Sequence, residues 1–272
     1  MTAPLEATLR ARRATGAKLL VPYVTGGLSD DWTDVLAAVV AAGADAVEVG
    51  IPFSDPVMDG PTIQEASTRA LAGGATPMSV LSDLHGVDVG VPVVVMTYYN
   101  LAYRMGDLRF ARSLASAGVS GAILPDLPLE ESGTWEHEAA AAGVEAVLLA
   151  APVTPDDRLV AIAERSRGFV YGVSRMGITG ERASVAASAQ VMAKRLKAVT
   201  DRPVLIGFGI STPDQAVEVC AEADGVVVAS ALLRVLLDGG GPDGAAEFVG
   251  RFRAGLDHVW SPGLERVGER HA

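Results

Sequence analysis

The sequence predicts a single (β/α)8 barrel, the TIM-barrel architecture of the α/β class, with an extra helix at its C-terminus. Its 272 residues are close to the usual length of one such barrel. A helical Ala-rich stretch, an Ala-Gly step and a short β-branched run recur along the chain. Eight apolar runs can be counted, and eight is a number of strands that closes a barrel.

The repeated unit stands at 41–50, 115–126 and 140–152 and, more loosely, at 220–230. Each glycine suits the position just after a helix, and each apolar run suits a parallel strand covered on both faces. The predicted strands are 19–24, 46–50, 93–96, 121–124, 145–149, 169–172, 204–207 and 225–228. An open, doubly wound sheet is the alternative arrangement of the same units.

The end of the chain adds no second domain. A glycine-rich link at 239–244 leads into a last predicted helix at 245–258. The catalytic domain is therefore expected to span 1–260, followed by a polar tail at 261–272.

Composition limits the classes of partner and the compartment. A formal charge of −11 argues against nucleic acid and against anionic membrane surfaces. The single Cys220 cannot form an internal disulfide, suits a small buried apolar position and fits a reducing compartment. There is no apolar run of membrane-spanning length and no apolar signal core near the N-terminus. We therefore expect a cytoplasmic protein.

Glu48 is the first candidate for chemistry. Strand alternation points Val47 and Val49 toward the helices, and Glu48 and Gly50 toward the barrel axis. An inward carboxyl near the upper end of a strand should have a raised pKa because it is buried, which suits a group that both gives and takes a proton. The alternative is a structural glutamate paired with an arginine in the core.

The loop that follows carries two aspartates over the same barrel mouth. In IPFSDPVMDGPTIQEA (51–66), Asp55 precedes a proline and is typical of a turn, so Asp59 is the better catalytic candidate. The next helix is predicted to start at Pro61. Both aspartates could also be ordinary turn residues.

Two later loops are suited to hold an anion. GFGIST (207–212) follows the seventh strand and ends in a predicted helix cap, with Gly207 and Gly209 allowing close backbone approach. VVVASALL (226–233) follows the eighth strand, with Ser230 at a helix start. In this fold the loops after strands 7 and 8 are the recurrent phosphate site.

A glycine-containing segment at 171–184 could close over a ligand and exclude water, or be a plain surface loop.

The sequence lacks the residues that several other kinds of catalysis need. Lys18 precedes the first strand, and Lys194 and Lys197 fall on a helix, so no lysine is placed for a Schiff base. The histidines form no metal-binding motif, and no dinucleotide fingerprint follows the first strand. Acid–base chemistry on a phosphorylated substrate, without metal or cofactor, is the remaining expectation.

Five segments of the chain resemble the signature segments of the tryptophan synthase α subunit family. They are VEVGIPFSDPVMDGPTIQ, MTYYN, LPDLPLEES, SRMGITG and IGFGIS. The resemblance runs from about residue 20 to 237, and the first segment is highly specific. It implies retro-aldol cleavage of indole-3-glycerol phosphate to indole and glyceraldehyde 3-phosphate, and a β subunit carrying pyridoxal phosphate as partner in an α2β2 complex.

The resemblance also assigns roles to residues. Glu48 would protonate indole C3 and accept the proton of the glycerol hydroxyl, and Asp59 would stabilise positive charge at the indole nitrogen. Thr179 would close toward Asp59. The remaining assignments are to the pocket wall, Tyr23, Tyr98, Leu124 and Tyr171, and to the phosphate, Gly180, Gly209, Ala229 and Ser230.

Departures from the family pattern leave the carboxylates untouched. This chain has GGLSDD (26–31) in place of a Gly-Asp-Pro turn, Leu101 in place of a frequent proline, and Ala229 in place of glycine. We expect a negative φ at Ala229, which alanine adopts freely. A stand-alone lyase that releases indole and a non-catalytic partner of a β subunit are the alternative functions. The presence of Glu48, Asp59 and Thr179 argues against the non-catalytic one.

Overall fold

The computed structural model describes residues 4–173, 183–207 and 209–260, and within them eight strands follow one another in chain order. Each strand pairs in parallel with the next, and the last pairs with the first, so that the sheet closes into a barrel. The predicted barrel is confirmed, and the open sheet is wrong. The strands are β1 (Leu19–Thr25), β2 (Val47–Gly50), β3 (Val93–Met96), β4 (Gly121–Ile123), β5 (Glu145–Ala150), β6 (Val170–Val173), β7 (Val204–Gly207) and β8 (Gly225–Val228).

Helices surround the barrel and connect its strands. They are α1 (Leu5–Ala14), α2 (Trp32–Ala41), α3 (Pro61–Ala72), α4 (Pro77–Leu84), α5 (Tyr99–Met105), α6 (Asp107–Ser116), α7 (Gly133–Ala142), α8 (Asp156–Arg165), α9 (Ala183–Lys197), α10 (Pro213–Cys220), α11 (Ser230–Leu237) and α12 (Gly241–Trp260). The predicted helix starts at Pro61 and Ser230 are confirmed. Over the described part of the chain, no helix has the length and apolar character needed to cross a bilayer.

Alternation along the strands sorts their side chains into two clusters. Val47 and Val49 of β2 belong to the cluster between barrel and helices, whereas Ala46 belongs to the cluster inside the barrel. Each strand lies between the barrel interior and the helices, so both sides of these short apolar runs are buried. The inward direction of the Glu48 position follows from the same alternation.

The structure corrects the start of the last helix. The stretch 239–244 was expected to be a flexible link, but α12 begins at Gly241. Pro242 and Asp243 stand in its first turn, where a missing N–H and a negative charge are both favourable. Gly244 packs closely against Val235, because an added Cβ would lie 3.1 Å from Val235 Cγ1.

The helix α1, which is not among the predicted elements, closes the N-terminal end of the barrel. Leu5 and Leu9 are fully buried in the inner cluster. Leu5 packs tightly against β4, since a Cβ added at Gly121 would lie 2.7 Å from Leu5 Cδ2. The Glu6 backbone N–H donates to Glu145 Oε2 over 2.9 Å. With this end closed, the mouth at the carboxyl ends of the strands is the open side of the barrel.

Candidate active site

Glu48 lies inside the barrel on β2, beside Tyr23 of β1 in the strand register. It is 1% exposed, and its Oε2 atom has no hydrogen-bond partner among the residues described. Burial raises the pKa of Glu48 to about 8, and the charge of Asp59 raises it as well. In the described ranges no arginine forms an ion pair with it, which argues against a structural core pair. A carboxyl that is buried, unpaired and protonated at neutral pH is suited to proton transfer.

Asp59 reaches the same site from the loop between β2 and α3. Burial raises the pKa of Asp59 to about 6, and a hydrogen bond with the Tyr98 side chain lowers it. Gln64 donates from Nε2 to the Asp59 carbonyl oxygen over 2.8 Å. Asp55, by contrast, is exposed and accepts a 2.6 Å hydrogen bond from the Ser54 hydroxyl. The geometry therefore favours Asp59 over Asp55 as the catalytic candidate.

Two tyrosines of the predicted pocket wall are fully enclosed around Glu48. Tyr23 and Tyr171 are each 3% exposed and belong to the inner cluster. Burial raises the pKa of both hydroxyls, and the charges of Glu48 and Asp59 contribute to each. Both phenols are therefore neutral at physiological pH.

Each of these two rings lies against a glycine at the end of a strand. A Cβ added at Gly50 would overlap the Tyr23 hydroxyl, and one added at Gly207 would overlap the Tyr171 hydroxyl. The sequence predicts Gly207 at the anion, but in the structure this glycine makes room for the Tyr171 ring. The role of Gly50 was missed altogether, and its signal in the sequence is only a glycine that ends β2.

The expectation for Leu124 is corrected. Leu124 follows β4 and packs in the cluster outside the barrel, whereas its neighbour Ile123 lies in the inner cluster. Strand alternation therefore turns Ile123, not Leu124, toward the barrel interior. Two other predicted residues, Thr179 and Gly180, lie outside the described residues.

The two anion-suited loops differ in their free backbone donors. The first turn of α10 is already capped, because Thr212 accepts from Gln215 N–H and Gln215 accepts from Thr212 N–H. No side chain caps α11, which begins at Ser230 after Ala229. Its first N–H groups and its dipole can therefore receive an anion. The α11 N-terminus is the better candidate for a phosphate.

The backbone angles of these two loops show where glycine is required. Gly209 has φ +85°, a left-handed conformation that other residues adopt only with strain. Ala229 has φ −116°, so this position does not use the left-handed φ that favours glycine. The expected negative φ at Ala229 is confirmed.

A groove outside the barrel holds none of the predicted residues. It has a volume of about 750 Å³ and lies between α4, α6 and α7, where Met78, Arg109 and Glu138 contribute to its walls. Its walls are helix surfaces rather than loops after strands, where chemistry takes place in this fold. The candidate active site is therefore the barrel mouth.

Together these features define a (β/α)8-barrel enzyme of the acid–base class, with a buried carboxyl group on β2, a partly buried one on the loop that follows it, and an uncapped helix N-terminus after β8. Residues 9–247 match the family described as tryptophan synthase alpha chain. The chain belongs to this family.

Similar proteins cover nearly the same length. The tryptophan synthase alpha chain of Streptomyces avermitilis is 46% identical over 239 residues, 86% of either chain. That of Thermobifida fusca is 43% identical over 258 residues, 93% of this chain and 96% of its own. The structure of tryptophan synthase from Mycobacterium tuberculosis superimposes with a TM-score of 0.86 at 37% identity, covering 94% of this chain and 99% of that chain. The alpha chain from Legionella pneumophila gives a TM-score of 0.85 at 30% identity, covering 96% and 100%.

Proposed function

We propose that this chain cleaves indole-3-glycerol phosphate into indole and glyceraldehyde 3-phosphate, using Glu48 and Asp59. Membership of the tryptophan synthase alpha chain family supports the reaction, a step of tryptophan biosynthesis. The assignment of roles rests on the different pKa values of two neighbouring carboxyl groups, about 8 for Glu48 and about 6 for Asp59. At neutral pH the first is protonated and the second is ionised, which are the forms that this cleavage needs.

Glu48 acts first as an acid and then as a base. It transfers its proton to indole C3, which leaves positive charge on the ring nitrogen, and the Asp59 carboxylate offsets that charge. The Glu48 carboxylate then accepts the proton of the glycerol hydroxyl on the carbon bonded to C3. As that oxygen becomes the aldehyde carbonyl, the carbon–carbon bond breaks and its electron pair restores the neutral indole ring. Glu48 ends protonated, ready for another turnover.

The substrate phosphate binds at the start of α11. Ala229 and Ser230 bring uncapped N–H groups to this point, and Gly209 lies on the neighbouring loop. Gly180 is assigned to the same phosphate and Thr179 to closure over Asp59 by the family resemblance alone. Because the chain carries a formal charge of −11, such a local backbone site is the physical means of holding an anion.

The test is direct. Purified protein is incubated with indole-3-glycerol phosphate, and indole and glyceraldehyde 3-phosphate are quantified separately. Equal amounts of the two products support the proposal. Absence of both, in a folded protein and with a tryptophan synthase β subunit added, contradicts it.

The pH dependence of kcat/KM should be bell-shaped. Asp59 is ionised above its pKa of about 6, and Glu48 is protonated below its pKa of about 8. Activity should therefore rise through the first value and fall through the second, with a maximum near pH 7. Because the two carboxyl groups interact, the two apparent pKa values describe the pair rather than either residue alone. Initial rates at low substrate concentration between pH 5 and 9 measure the profile. A profile that keeps rising above pH 8 would show that Glu48 does not act as the acid.

The partner surface is the rim of the barrel mouth. Three large apolar side chains are exposed on loops or helices that follow β2, β3 and β5: Val57, Tyr103 and Val153, which are 82%, 71% and 74% exposed. Single exposed apolar residues are common, but these three follow strands at the same end of the barrel, where a partner that covers the mouth would bury them. We place the β subunit of an α2β2 tryptophan synthase there, where indole leaves the mouth. We also propose that the protein works in the cytoplasm.

Tyr103→Asp should weaken binding to the β subunit of the same organism by at least about tenfold, because it buries a charge in an apolar contact. Titration calorimetry measures the affinity. Val191→Asp is the matched control, since Val191 is 58% exposed on α9, away from the mouth. Equal weakening by both variants would place the contact elsewhere. If the wild-type protein does not bind the β subunit, and adding that subunit does not change the rate of indole release, the protein is a stand-alone lyase.

A further inference from the structure

Tyr98 contacts three residues of the loop that carries Asp59. It follows β3 and is 3% exposed. Its ring stacks on Phe53, with centroids 5.1 Å apart and planes at 27°. The Met58 N–H donates to its hydroxyl oxygen over 2.9 Å, which brings that hydroxyl beside Asp59, the next residue of the loop. Interaction with the Tyr98 side chain lowers the pKa of Asp59. Because the oxygen accepts from Met58, its own proton is available to the Asp59 carboxyl.

The backbone of this loop has a separate anchor. Gln64 donates to the Asp59 carbonyl oxygen over 2.8 Å, and Asp59 N–H donates to Pro56 O over 3.4 Å. These bonds hold the main chain at Asp59 without involving the carboxyl group. The Tyr98 hydroxyl is therefore not the only group that holds the main chain of this loop.

We propose that Tyr98 is a positioning residue, whose hydroxyl fixes the Asp59 carboxylate in the barrel mouth beside Glu48. This inference rests on the proposed role of Asp59 and replaces the expectation that Tyr98 is only part of the pocket wall. A hydrogen bond to a carboxylate stabilises the ionised form, which is the form that offsets positive charge.

The groups that interact with the Asp59 charge offer it no positive partner. They are the acid Glu48 on β2 and the neutral phenols Tyr23 on β1 and Tyr171 on β6. Asp126 adds a further negative charge near Tyr98. Burial raises the pKa of Asp59, and the Tyr98 hydrogen bond lowers it. The proton is thereby kept on Glu48 rather than on Asp59.

The test is Tyr98→Phe, which keeps the ring and its stacking on Phe53 but removes the hydroxyl. We expect kcat to fall roughly 10- to 100-fold, the range for a hydrogen bond to a charged group, with KM nearly unchanged. The acidic limb of the kcat/KM profile should move to higher pH by about one unit. NMR titration of the ¹³C-labelled Asp59 carboxyl in ligand-free protein should show its midpoint raised in the same direction.

Two variants separate this role from a general loosening. Tyr99→Phe removes a hydrogen bond of the same type, from Tyr99 to Asp107 over 3.3 Å, outside the mouth, and should leave kcat and both limbs unchanged. Gln64→Leu removes the backbone anchor and should leave the Asp59 midpoint in place. The inference is overturned if Tyr98→Phe leaves the midpoint unmoved, or if Gln64→Leu moves it equally. Because the midpoint is measured without substrate, it decides the inference even if the proposed cleavage is not observed.

Discussion

Glu48→Gln should remove nearly all indole formation while the protein folds and binds substrate. Glutamine keeps the shape of the side chain but can neither give nor take the proton, and loss of a general acid–base group costs up to about 10⁴-fold in kcat. Single-turnover release of indole measures the chemical step, and calorimetry measures substrate affinity. If the variant kept more than about a tenth of the wild-type rate, another group would have to move the proton.

The matched control for this variant is Glu145→Gln. Glu145 is a half-buried glutamate at the start of β5, at the opposite end of the barrel, and accepts from the Glu6 N–H over 2.9 Å. Burial raises the pKa of its carboxyl too. An amide oxygen can still accept that hydrogen bond, so turnover should be unchanged. Equal loss in both variants would indicate a structural defect rather than a catalytic one.

Glu48 should also affect how the stability of the folded protein depends on pH. Because its pKa is raised from 4.5 to about 8, its contribution to the free energy of unfolding is complete below about pH 4.5 and is lost as pH rises toward 8. Glutamine does not titrate. The stability of Glu48→Gln relative to wild type should therefore increase with pH over this window, as chemical denaturation at pH 5 and pH 9 would measure. A constant difference would mean that Glu48 is not buried as a neutral acid.

Asp59→Asn should lower kcat by about 10²–10³-fold, the loss typical of removing one preorganised electrostatic group from a transition state. The amide preserves the size of the side chain and can still meet the Tyr98 hydroxyl, but it has no charge to offset the positive indole nitrogen. Asp55→Asn on the same loop is the control, because Asp55 is exposed and bonded by Ser54. Steady-state rates with purified variants are sufficient. A loss of less than about fivefold for Asp59→Asn, or equal losses for both, would contradict the assigned role.

Much of the fold was predictable because its signals are local. Short apolar runs between helical stretches gave all eight strands, with ends that differ from the observed ones by a residue in β1, β2, β4, β5 and β6. Period-two alternation gave the inward direction of Glu48. Proline and capping residues gave the starts of α3 and α10, because a helix start depends on a few adjacent residues.

The sequence by itself determined the fold class, the inward Glu48, the preference for Asp59 and the helix start at Ser230. Only the tertiary structure decided which residues meet: Tyr98 with Asp59, Tyr23 with Gly50, Tyr171 with Gly207, and Leu5 with the interior of the barrel. Each of these contacts joins different strands, helices or loops. No local periodicity encodes such a contact, because it exists only once the barrel closes and brings distant segments to one axis.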